Sequence, residues 1–516
     1  MPKPANLPPK TVSSFDETFD VVVVGFGYAG GVSAITAHDA GAKVLLIEKM
    51  STPGGISICA GGGIRMSRDR DGLISYLEAT NDGRTPRDVH ETFVDEMLQV
   101  EDFVRDLAKV NGGEIGRVDR PANYPFPGHD AMYFIEVLDI PGFDGAREYP
   151  SARSISNGAK LFKVLDDSIR ERGIETRLST SAMRLIADGG GVVQGLWVDG
   201  PDGRKAIKAR RGVVLACGGF EAGYEMQRQY WQYAPTISAS FRGNTGDGIR
   251  MALDVGADLW HMWHYHGSYG FKHPDPDYPF SIRVKKLPDW VSDIREPDVE
   301  MAWILVDKTG KRFMNEYPPY LQDTGHRPLD NYDTVQLDYP YVPCHMIVDE
   351  DGRKMYPLGS TIFNDADIEP YFWSQDNMKE VQNGILRKAD SIAELAGLIG
   401  CEADALQASV DRWNAACEAG EDAEHARAPK TMMPIKSPPF YTGEMWPVVS
   451  NTQGGPVHDA NYRVLNPFGE PIPNLYEAGE CGGIWGFLYI GGANLTECFV
   501  GGRIAGREAA AQKAWD

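Results

Sequence analysis

Apolar residues form short runs near the start of the chain and then recur at helical spacing. Residues 21–24 are four valines, a run too short for a helix and suited to a strand buried on both faces. Val44–Ile47 form a second such run. Between 88 and 110 one amphipathic helix is predicted, ended by Asn111 and Gly112, with a buried stripe of Phe93, Met97, Val100, Val104 and Leu107.

Further along, the pattern changes twice. Residues 178–215 alternate short apolar runs with turns at 189–191 and 201–203, which predicts antiparallel strands. From about 269 to 431 prolines cluster, tryptophan and tyrosine become more frequent, and helices are predicted at 391–398 and 402–420. Because 516 residues exceed what one core supports, we expect two domains: 1–268 joined with 432–516, and an inserted 269–431.

A glycine-rich turn follows the first predicted strand. Gly25, Gly27 and Gly30 form a GxGxxG motif, which permits a tight turn and close approach of the backbone to a pyrophosphate at the start of the next helix. Glu48 ends the second strand, where a carboxylate accepts hydrogen bonds from a ribose, and Lys49 follows it. These residues predict a dinucleotide site but do not separate FAD from NAD.

Charge and composition narrow the partners. The chain has 51 Lys+Arg and 73 Asp+Glu, and its net charge of −22 argues against nucleic acid and anionic lipid. With no apolar stretch of about 18 residues and no signal peptide, we expect no membrane span and a cytoplasmic protein. The widely spaced cysteines predict reduced thiols: Cys59, Cys217, Cys344, Cys401, Cys417, Cys481 and Cys498.

Four segments carry a family resemblance. STPGGISICAGGGIR starts at Ser51, and segments 213–221, 243–259 and 474–510 follow in order. Together they resemble the fumarate reductase and succinate dehydrogenase flavoprotein family, which includes the 3-ketosteroid dehydrogenases. The resemblance implies an α/β fold: a Rossmann-like FAD-binding domain of the GR2 type with a small antiparallel sheet, and an inserted α+β capping domain that completes the substrate pocket.

The resemblance also implies FAD as the cofactor. Residues 51–66 contain no histidine, the residue that carries FAD in covalent members, so noncovalent binding is expected. Glu480 matches the residue at the ribityl chain, and Asn494 and Leu495 open a helix aimed at the flavin ring. The full expected FAD set is Gly25, Gly27, Ala29, Gly30, Glu48, Lys49, Gly54, Gly55, Ser57, Gly62, Gly63, Ala182, Cys217, Gly218, Asn244, Asp247, Glu480, Asn494 and Leu495.

Three charged family positions are changed in this chain. The arginine expected four residues beyond the glutamate of RFxNE (312–316) is Tyr320, the arginine before the LGG stretch is Tyr489, and the histidine of HTMGG is Asn451. A dicarboxylate needs fixed cationic partners, which these residues do not supply. Fumarate and succinate are therefore poor candidates, and a neutral carbonyl substrate fits better.

The two tyrosines resemble those of 3-ketosteroid dehydrogenases. That resemblance implies Tyr320 as the base and Tyr489, with the backbone N–H of Gly492, as the electrophile; a shift in alignment would make Tyr317 the base. The leading hypothesis is an FAD-dependent dehydrogenase of CH–CH bonds next to a ketone, acting on a 3-ketosteroid or similar cyclic ketone. Gly491 stands where 4-dehydrogenases have serine, and the glycine-proline stretch of 1-dehydrogenases is shorter here, so regiochemistry stays open.

Two alternatives remain: reduction of an activated C=C bond, and a noncatalytic flavin-binding subunit. With no CxxCH motif or iron–sulfur cysteine pattern, electrons are expected to pass to or from a quinone or a separate redox protein. Residues 260–266 predict a strand with His264 and His266 on one face, but no metal is expected. Tyr124 and Tyr133 are weaker pocket candidates, and Arg65 and Arg153 are expected to be solvated or in structural ion pairs.

Overall fold

A computed structural model describes residues 7–153, 157–285, 287–288, 299–320 and 325–515. Across these ranges the chain builds two large mixed sheets and a smaller three-stranded one. The described α-helices are Tyr28–Asp39, Arg70–Asn81, Arg87–Met97, Val100–Ala108, Gly145–Glu148, Gly158–Glu171, Tyr224–Tyr230, Asp247–Asp254, Glu350–Met355, Met378–Gln382, Ile392–Ile399, Ala403–Ala419 and Ala493–Ala511.

The first large sheet has a parallel centre. Strand Glu17–Val24 lies between Val44–Ile47 and the end of Gly203–Leu215, all parallel, which explains why its valines are buried on both faces. The spatial order of its main path is Arg463–Leu465, Pro471–Glu477, Gly203–Leu215, Glu17–Val24, Val44–Ile47 and Glu175–Arg177. The antiparallel strands predicted at 178–215 are confirmed as Ser181–Ala187, Val193–Gly200 and the first part of Gly203–Leu215.

Two helices pack closely against each other beside this sheet. Helix Tyr28–Asp39 packs lengthwise on helix Ala493–Ala511, and small residues allow their backbones to approach closely. A Cβ on Gly506 would lie 2.5 Å from the carbonyl oxygen of Ser33, and one on Gly502 would lie 2.8 Å from that of Ala29. The contact therefore brings together residues from opposite ends of the chain.

The second large sheet lies largely in the later part of the chain. Its strands are Ile237–Ser238, Tyr265–Lys272, Ser281–Val284, Trp303–Val306, Cys344–Val348, Gly359–Ser360, Leu386–Ala389 and Phe440–Thr452. Strand Phe440–Thr452 is the central strand of this sheet, because it pairs with Tyr265–Lys272, Cys344–Val348 and Leu386–Ala389. This sheet thus uses strands from both sides of the predicted 269–431 insertion, and the domain boundaries themselves stay a prediction.

Smaller strand pairs complete the fold. The three-stranded sheet consists of Ile64–Ser67, Glu114–Asp119 and Met132–Asp139. Two short pairs join Leu259–Trp260 to Gly455–Pro456 and Ala152–Arg153 to Phe363–Asn364.

The prediction of a single helix at 88–110 is wrong in one respect. The segment forms two helices, Arg87–Met97 and Val100–Ala108, because Gln99 donates to the Glu96 carbonyl in a tighter turn, yet the predicted apolar stripe stays buried.

Two expectations about the whole chain can be compared with the described residues. None of the helices within them is both long and apolar enough to cross a membrane. All seven cysteines are free thiols, as their spacing predicted.

Candidate functional site

The glycine turn is built as its motif predicts. Gly25 has φ +104°, and a Cβ on Gly30 would lie only 1.8 Å from the Gly25 carbonyl oxygen, so the turn cannot hold a side chain there. Gly27 is the N-cap of helix Tyr28–Asp39. The start of that helix lines a cleft, and helix N-termini favour anions.

The acid after the second strand lies beside this turn. Glu48 is buried, and it accepts hydrogen bonds from the backbone N–H groups of Phe26 and Met50, both at 2.9 Å. Burial raises the pKa of the carboxyl, and those two N–H donors oppose the shift. Lys49 points elsewhere: its Nζ lies 2.6 Å from Asp247 and 3.0 Å from the Thr245 hydroxyl.

A cleft opens along the turn. Thirteen of the residues expected at FAD line it: Gly25, Gly27, Ala29, Glu48, Lys49, Gly55, Ser57, Ala182, Cys217, Gly218, Asn244, Asp247 and Glu480. Lining residues missed by the sequence analysis include Tyr28, Thr180, Phe241, Met251 and Cys498. Tyr28, Met251 and Cys498 lie within segments that carry a motif or the family resemblance, whereas Thr180 and Phe241 do not.

Six expected residues lie outside the cleft lining. Gly30 and Gly54 support the turns, where a Cβ on Gly54 would lie 2.9 Å from that of Ile58. Gly62 packs on Asn157, Gly63 packs on Phe134, and Asn494 and Leu495 begin helix Ala493–Ala511. The side-chain oxygen of Asn494 is buried with no hydrogen-bond partner among the described residues, as expected of a group that awaits a ligand.

Two buried carboxyls meet at the far wall of the cleft. Asn244 bridges them, because its Nδ2 donates to Glu221 at 2.9 Å and to Glu480 at 3.2 Å. Burial raises the pKa of Glu221 to about 7, and burial together with the Glu221 charge raises that of Glu480 further. Like charges this close share a proton. Glu221 follows the VVLACGGF segment, but nothing local in the sequence indicated this pairing.

The Tyr489 side chain is held by burial, by a hydrogen bond and by a stacking contact. Its ring is buried, and its hydroxyl oxygen accepts a hydrogen bond from the backbone N–H of Gly492 at 3.2 Å. The ring stacks on His266, with centroids 4.1 Å apart, and Nδ1 of His266 lies 2.9 Å from the Asn451 side-chain oxygen. Burial raises the pKa of the tyrosine, so the phenol stays protonated at neutral pH.

The two candidate bases lie in different places. Tyr317 is 1% exposed within the core of the second sheet, and its hydroxyl donates to the carbonyl of Pro288. Tyr320 is half-buried and packs on the apolar cluster that contains Tyr489. Of the two, Tyr320 is the residue that shares an apolar cluster with Tyr489.

Segment 123–124 connects the two site tyrosines. The Tyr124 ring lies 6.0 Å from that of Tyr320, while Asn123 accepts from the Gly491 N–H at 3.2 Å and donates to the Tyr489 carbonyl at 3.5 Å. Tyr124 was expected only as a weaker pocket residue in a separate patch. No local signal marks the contact with Tyr320, because the two tyrosines lie far apart in the sequence.

Two expectations for other side chains are wrong. Arg65 is not solvated: it is 4% exposed, and its Nε donates to the Gly491 carbonyl at 2.9 Å. Segment 260–266 is not one strand, because His261 has φ +53° and turns the chain. Nδ1 of His261 and Nδ1 of His264 lie within 2.9 Å of the carbonyls of Gly483 and Trp485. Among the described residues no histidine, cysteine or acid cluster could hold a metal.

Comparison with known proteins places this geometry in a family. The family model described as FAD binding domain matches residues 20–495. Fumarate reductase (cytochrome) of Shewanella frigidimarina is 28% identical over 500 residues, which cover 96% of this chain and 77% of that protein. The 3-oxosteroid 1-dehydrogenase of Mycobacterium tuberculosis is 27% identical over 565 positions, covering 92% of this chain and 95% of that protein.

A solved structure is similar over almost the same span. The 3-ketosteroid delta1-dehydrogenase from Sterolibacterium denitrificans, in complex with 1,4-androstadiene-3,17-dione, superposes with a TM-score of 0.77 at 23% identity, covering 96% of this chain and all of that one. This likeness confirms the expected fold class. The matches, the glycine turn and the cleft together show that the chain belongs to the FAD binding domain family and is an FAD-dependent oxidoreductase.

Proposed function

We propose that this chain dehydrogenates a CH–CH bond next to a ketone in a bulky apolar cyclic substrate such as a 3-ketosteroid. The observation that carries the proposal is the Tyr489 hydroxyl, whose oxygen accepts the Gly492 N–H at 3.2 Å inside an apolar cluster. A phenol oxygen that accepts a backbone N–H keeps its own proton for another acceptor. Such a donor suits a neutral ketone oxygen, and it brings no positive charge to hold a carboxylate.

Tyr320 supplies the second role. It packs on the same apolar cluster as Tyr489, and its ring lies 6.0 Å from that of Tyr124. The Tyr320 oxygen takes the proton from the carbon next to the ketone, while Tyr489 donates to the ketone oxygen and stabilises the enolate that develops there. The flavin, when bound, accepts the hydride from the adjacent carbon, which leaves a C=C bond.

The FAD contacts are part of the same proposal. The cleft offers the pyrophosphate the helix start at Gly27, offers Glu48 to a ribose, and offers Glu480, which Asn244 links to the buried Glu221, to the hydroxyl chain. We expect the cofactor to be held noncovalently. Acid precipitation should then leave the yellow colour in the supernatant, and flavin fluorescence that stays on the denatured chain in a gel would contradict this.

Reduction of an activated C=C bond is the second candidate. It is favoured by the protonated state of Tyr489, since a neutral phenol can also polarise an enone, and by the match to a fumarate reductase. The same groups then work in reverse: hydride reaches the C=C carbon farther from the ketone, and Tyr320 returns a proton to the C=C carbon next to the ketone. Electrons enter from a quinone or a separate redox protein in this case.

Anaerobic mixing separates the two candidates. Oxidised enzyme is mixed with a saturated 3-ketosteroid or with its 4-ene, and the oxidised flavin band near 450 nm, the usual position for flavins, is followed. Bleaching by either steroid supports the dehydrogenase and identifies the bond. Chemically reduced enzyme that regains colour with a dienone or another enone, but never bleaches with the saturated ketone, supports the reductase instead. Tyr489→Phe is the matched control in both directions.

A further inference from the structure

Arg65 is a buried cation next to the segment that contains Tyr489, Gly491 and Gly492. It lies on strand Ile64–Ser67, directly after the glycine loop 51–63, and its side chain is 4% exposed. The guanidinium stacks on Phe134, 3.8 Å from the ring centroid, and Nη1 donates to the carbonyl of Arg120 at 2.7 Å. Burying a cation is costly unless its donors are well used. An aliphatic residue would fill the same space at lower cost.

The contact of interest is with the peptide group between Gly491 and Gly492. Arg65 Nε donates to the Gly491 carbonyl oxygen at 2.9 Å, while the N–H of Gly492 donates to the Tyr489 hydroxyl at 3.2 Å. Both atoms belong to one trans peptide group, so they point in opposite directions. Holding the oxygen therefore aims the N–H at Tyr489.

This peptide group needs such a hold because glycine lies on either side of it. Gly492 has φ +82°, and a Cβ there would lie 2.3 Å from the Phe134 ring, so no stiffer residue can replace it. A peptide between two glycines rotates at little cost. Rotation would turn the carbonyl toward Tyr489 and the N–H toward the guanidinium, which would place donor against donor.

The contacts also form a chain of donors that starts at a charge. Arg65 donates to the peptide oxygen, the peptide N–H donates to the Tyr489 oxygen, and the hydroxyl keeps its proton for a ligand. Hydrogen bonds in series polarise one another, and a charged first donor strengthens those that follow. The positive charge of Arg65 also acts to lower the pKa of Tyr489.

We propose that Arg65 is a positioning residue that orients and polarises the Tyr489 hydroxyl through the 491–492 peptide group, so that Tyr489 becomes a strong donor to an oxyanion. The inference rests on the proposed function for the role of that oxyanion. The donor strength itself is measurable without turnover, because phenolate-forming ligands carry a similar oxygen charge.

The first measurement is ligand binding to the oxidised holoenzyme. A series of substituted phenols and naphthols of different acidity is titrated, and binding is followed by the perturbation of the flavin spectrum. In the wild type, a plot of the logarithm of affinity against ligand pKa should have a steep slope. In Arg65→Met this slope should flatten, while Arg68→Met should keep it. Arg68 is the matched control. Its guanidinium stacks on Tyr133, the residue before Phe134, at 4.4 Å from the ring centroid, but its side chain is exposed and pairs with Asp119.

The second measurement is turnover with whichever ketone or enone reacts with the flavin in the anaerobic mixing experiment. Arg65→Met should lower kcat about 10²–10³-fold, the range for losing one oxyanion donor, with KM changed only a few-fold. A slope and kcat like those of Arg68→Met would overturn the proposal. Should the methionine variant lack flavin, Arg65→Gln keeps a neutral donor and should show a reduced slope and about tenfold lower kcat; wild-type values there would overturn it equally.

The two readouts separate failure of this inference from failure of the proposed function. An Arg65-dependent slope in an enzyme that no ketosteroid bleaches leaves the donor chain standing and removes only the substrate class. Normal turnover with an Arg65-independent slope removes the donor chain and leaves the proposed function intact.

Discussion

The choice between Tyr317 and Tyr320 illustrates what a single side chain contributes. The two lie three positions apart, yet Tyr317 is sealed in the core of the second sheet and Tyr320 packs toward Tyr124 and Tyr489. The sequence could not separate them, because both follow the RFMNE segment closely. Their burial differs because Tyr320 has φ +66°, a left-handed conformation that turns the chain at that residue.

Paired Tyr→Phe variants test this assignment. Tyr320→Phe should lower kcat by about 10²–10⁴-fold, the usual contribution of a general base, without changing flavin content. Tyr317→Phe should leave kcat within a few-fold and lower stability by about 1 kcal/mol through loss of one buried hydrogen bond. Stopped-flow flavin reduction measures the first effect and thermal unfolding the second. The reverse pattern would assign the base to Tyr317.

The carboxyl pair predicts a pH effect on cofactor binding. Because the pKa of Glu221 is about 7, the pair gains negative charge as pH rises past neutrality, inside a cleft that must accept a diphosphate. FAD affinity should therefore fall above pH 7, by up to about tenfold per pH unit for one linked proton. Glu221→Gln should remove this dependence. Quenching of flavin fluorescence on titration into apoprotein at pH 6, 7 and 8 measures it, and a flat wild-type profile would contradict the shared proton.

At the scale of elements, the glycine turn shows how much the sequence can specify. Strand, turn, helix and strand from Glu17 to Ile47 were predictable because the apolar runs and the glycine spacing that indicate them lie within one short stretch of sequence. The cleft wall formed by Thr180 and Phe241 was not, since neither residue lies in a motif. The turn at His261 was also missed: carbonyls of loop 483–485, far along the chain, bind its side chain and that of His264.

Adjacent glycines in the first helix allow a matched test of the turn. A Cβ at position 30 would meet the Gly25 carbonyl oxygen at 1.8 Å, and neither backbone can yield without opening the turn. At position 31 the nearest atom is the Ile169 side chain at 3.5 Å, an ordinary contact. Gly30→Ala should therefore be purified without flavin, whereas Gly31→Ala should keep it and gain slightly in helix stability. The A280/A450 ratio gives flavin content, and equal ratios for the two variants would contradict the role of the turn.

At the scale of the molecule, an acidic protein buries several carboxyls behind its cofactor cleft. Beside Glu221 and Glu480, the carboxyls of Glu477 and Glu497 are almost inaccessible, and burial raises the pKa of both. Glu477 ends strand Pro471–Glu477, and Glu497 lies in the second turn of helix Ala493–Ala511. Neutral carboxyls there avoid adding to a net charge of −22.

Glu497 makes the stability of the molecule depend on pH in a definite direction. It accepts hydrogen bonds from the Ile484 N–H at 2.8 Å and the Trp485 indole at 2.6 Å, and its pKa in the folded chain is about 8, against 4.5 for an ordinary glutamate. Below pH 4.5 both states hold the proton, so the contribution to stability is complete. As pH rises toward 8 only the unfolded chain ionises, and the free energy of unfolding falls by up to about 1.4 kcal/mol per pH unit.

Glu497→Gln should flatten that fall between pH 5.5 and 7.5, although the variant is less stable at every pH, because one amide oxygen replaces two acceptors for two buried donors. Urea unfolding of holoenzyme followed by tryptophan fluorescence gives the slope. Glu508→Gln, on the same helix but partly exposed and 4.0 Å from Arg507, should keep the wild-type slope. Because the test compares slopes and not absolute stabilities, the lost hydrogen bond does not obscure it: equal slopes in Glu497→Gln and wild type would mean that Glu497 is already ionised in the folded protein at neutral pH.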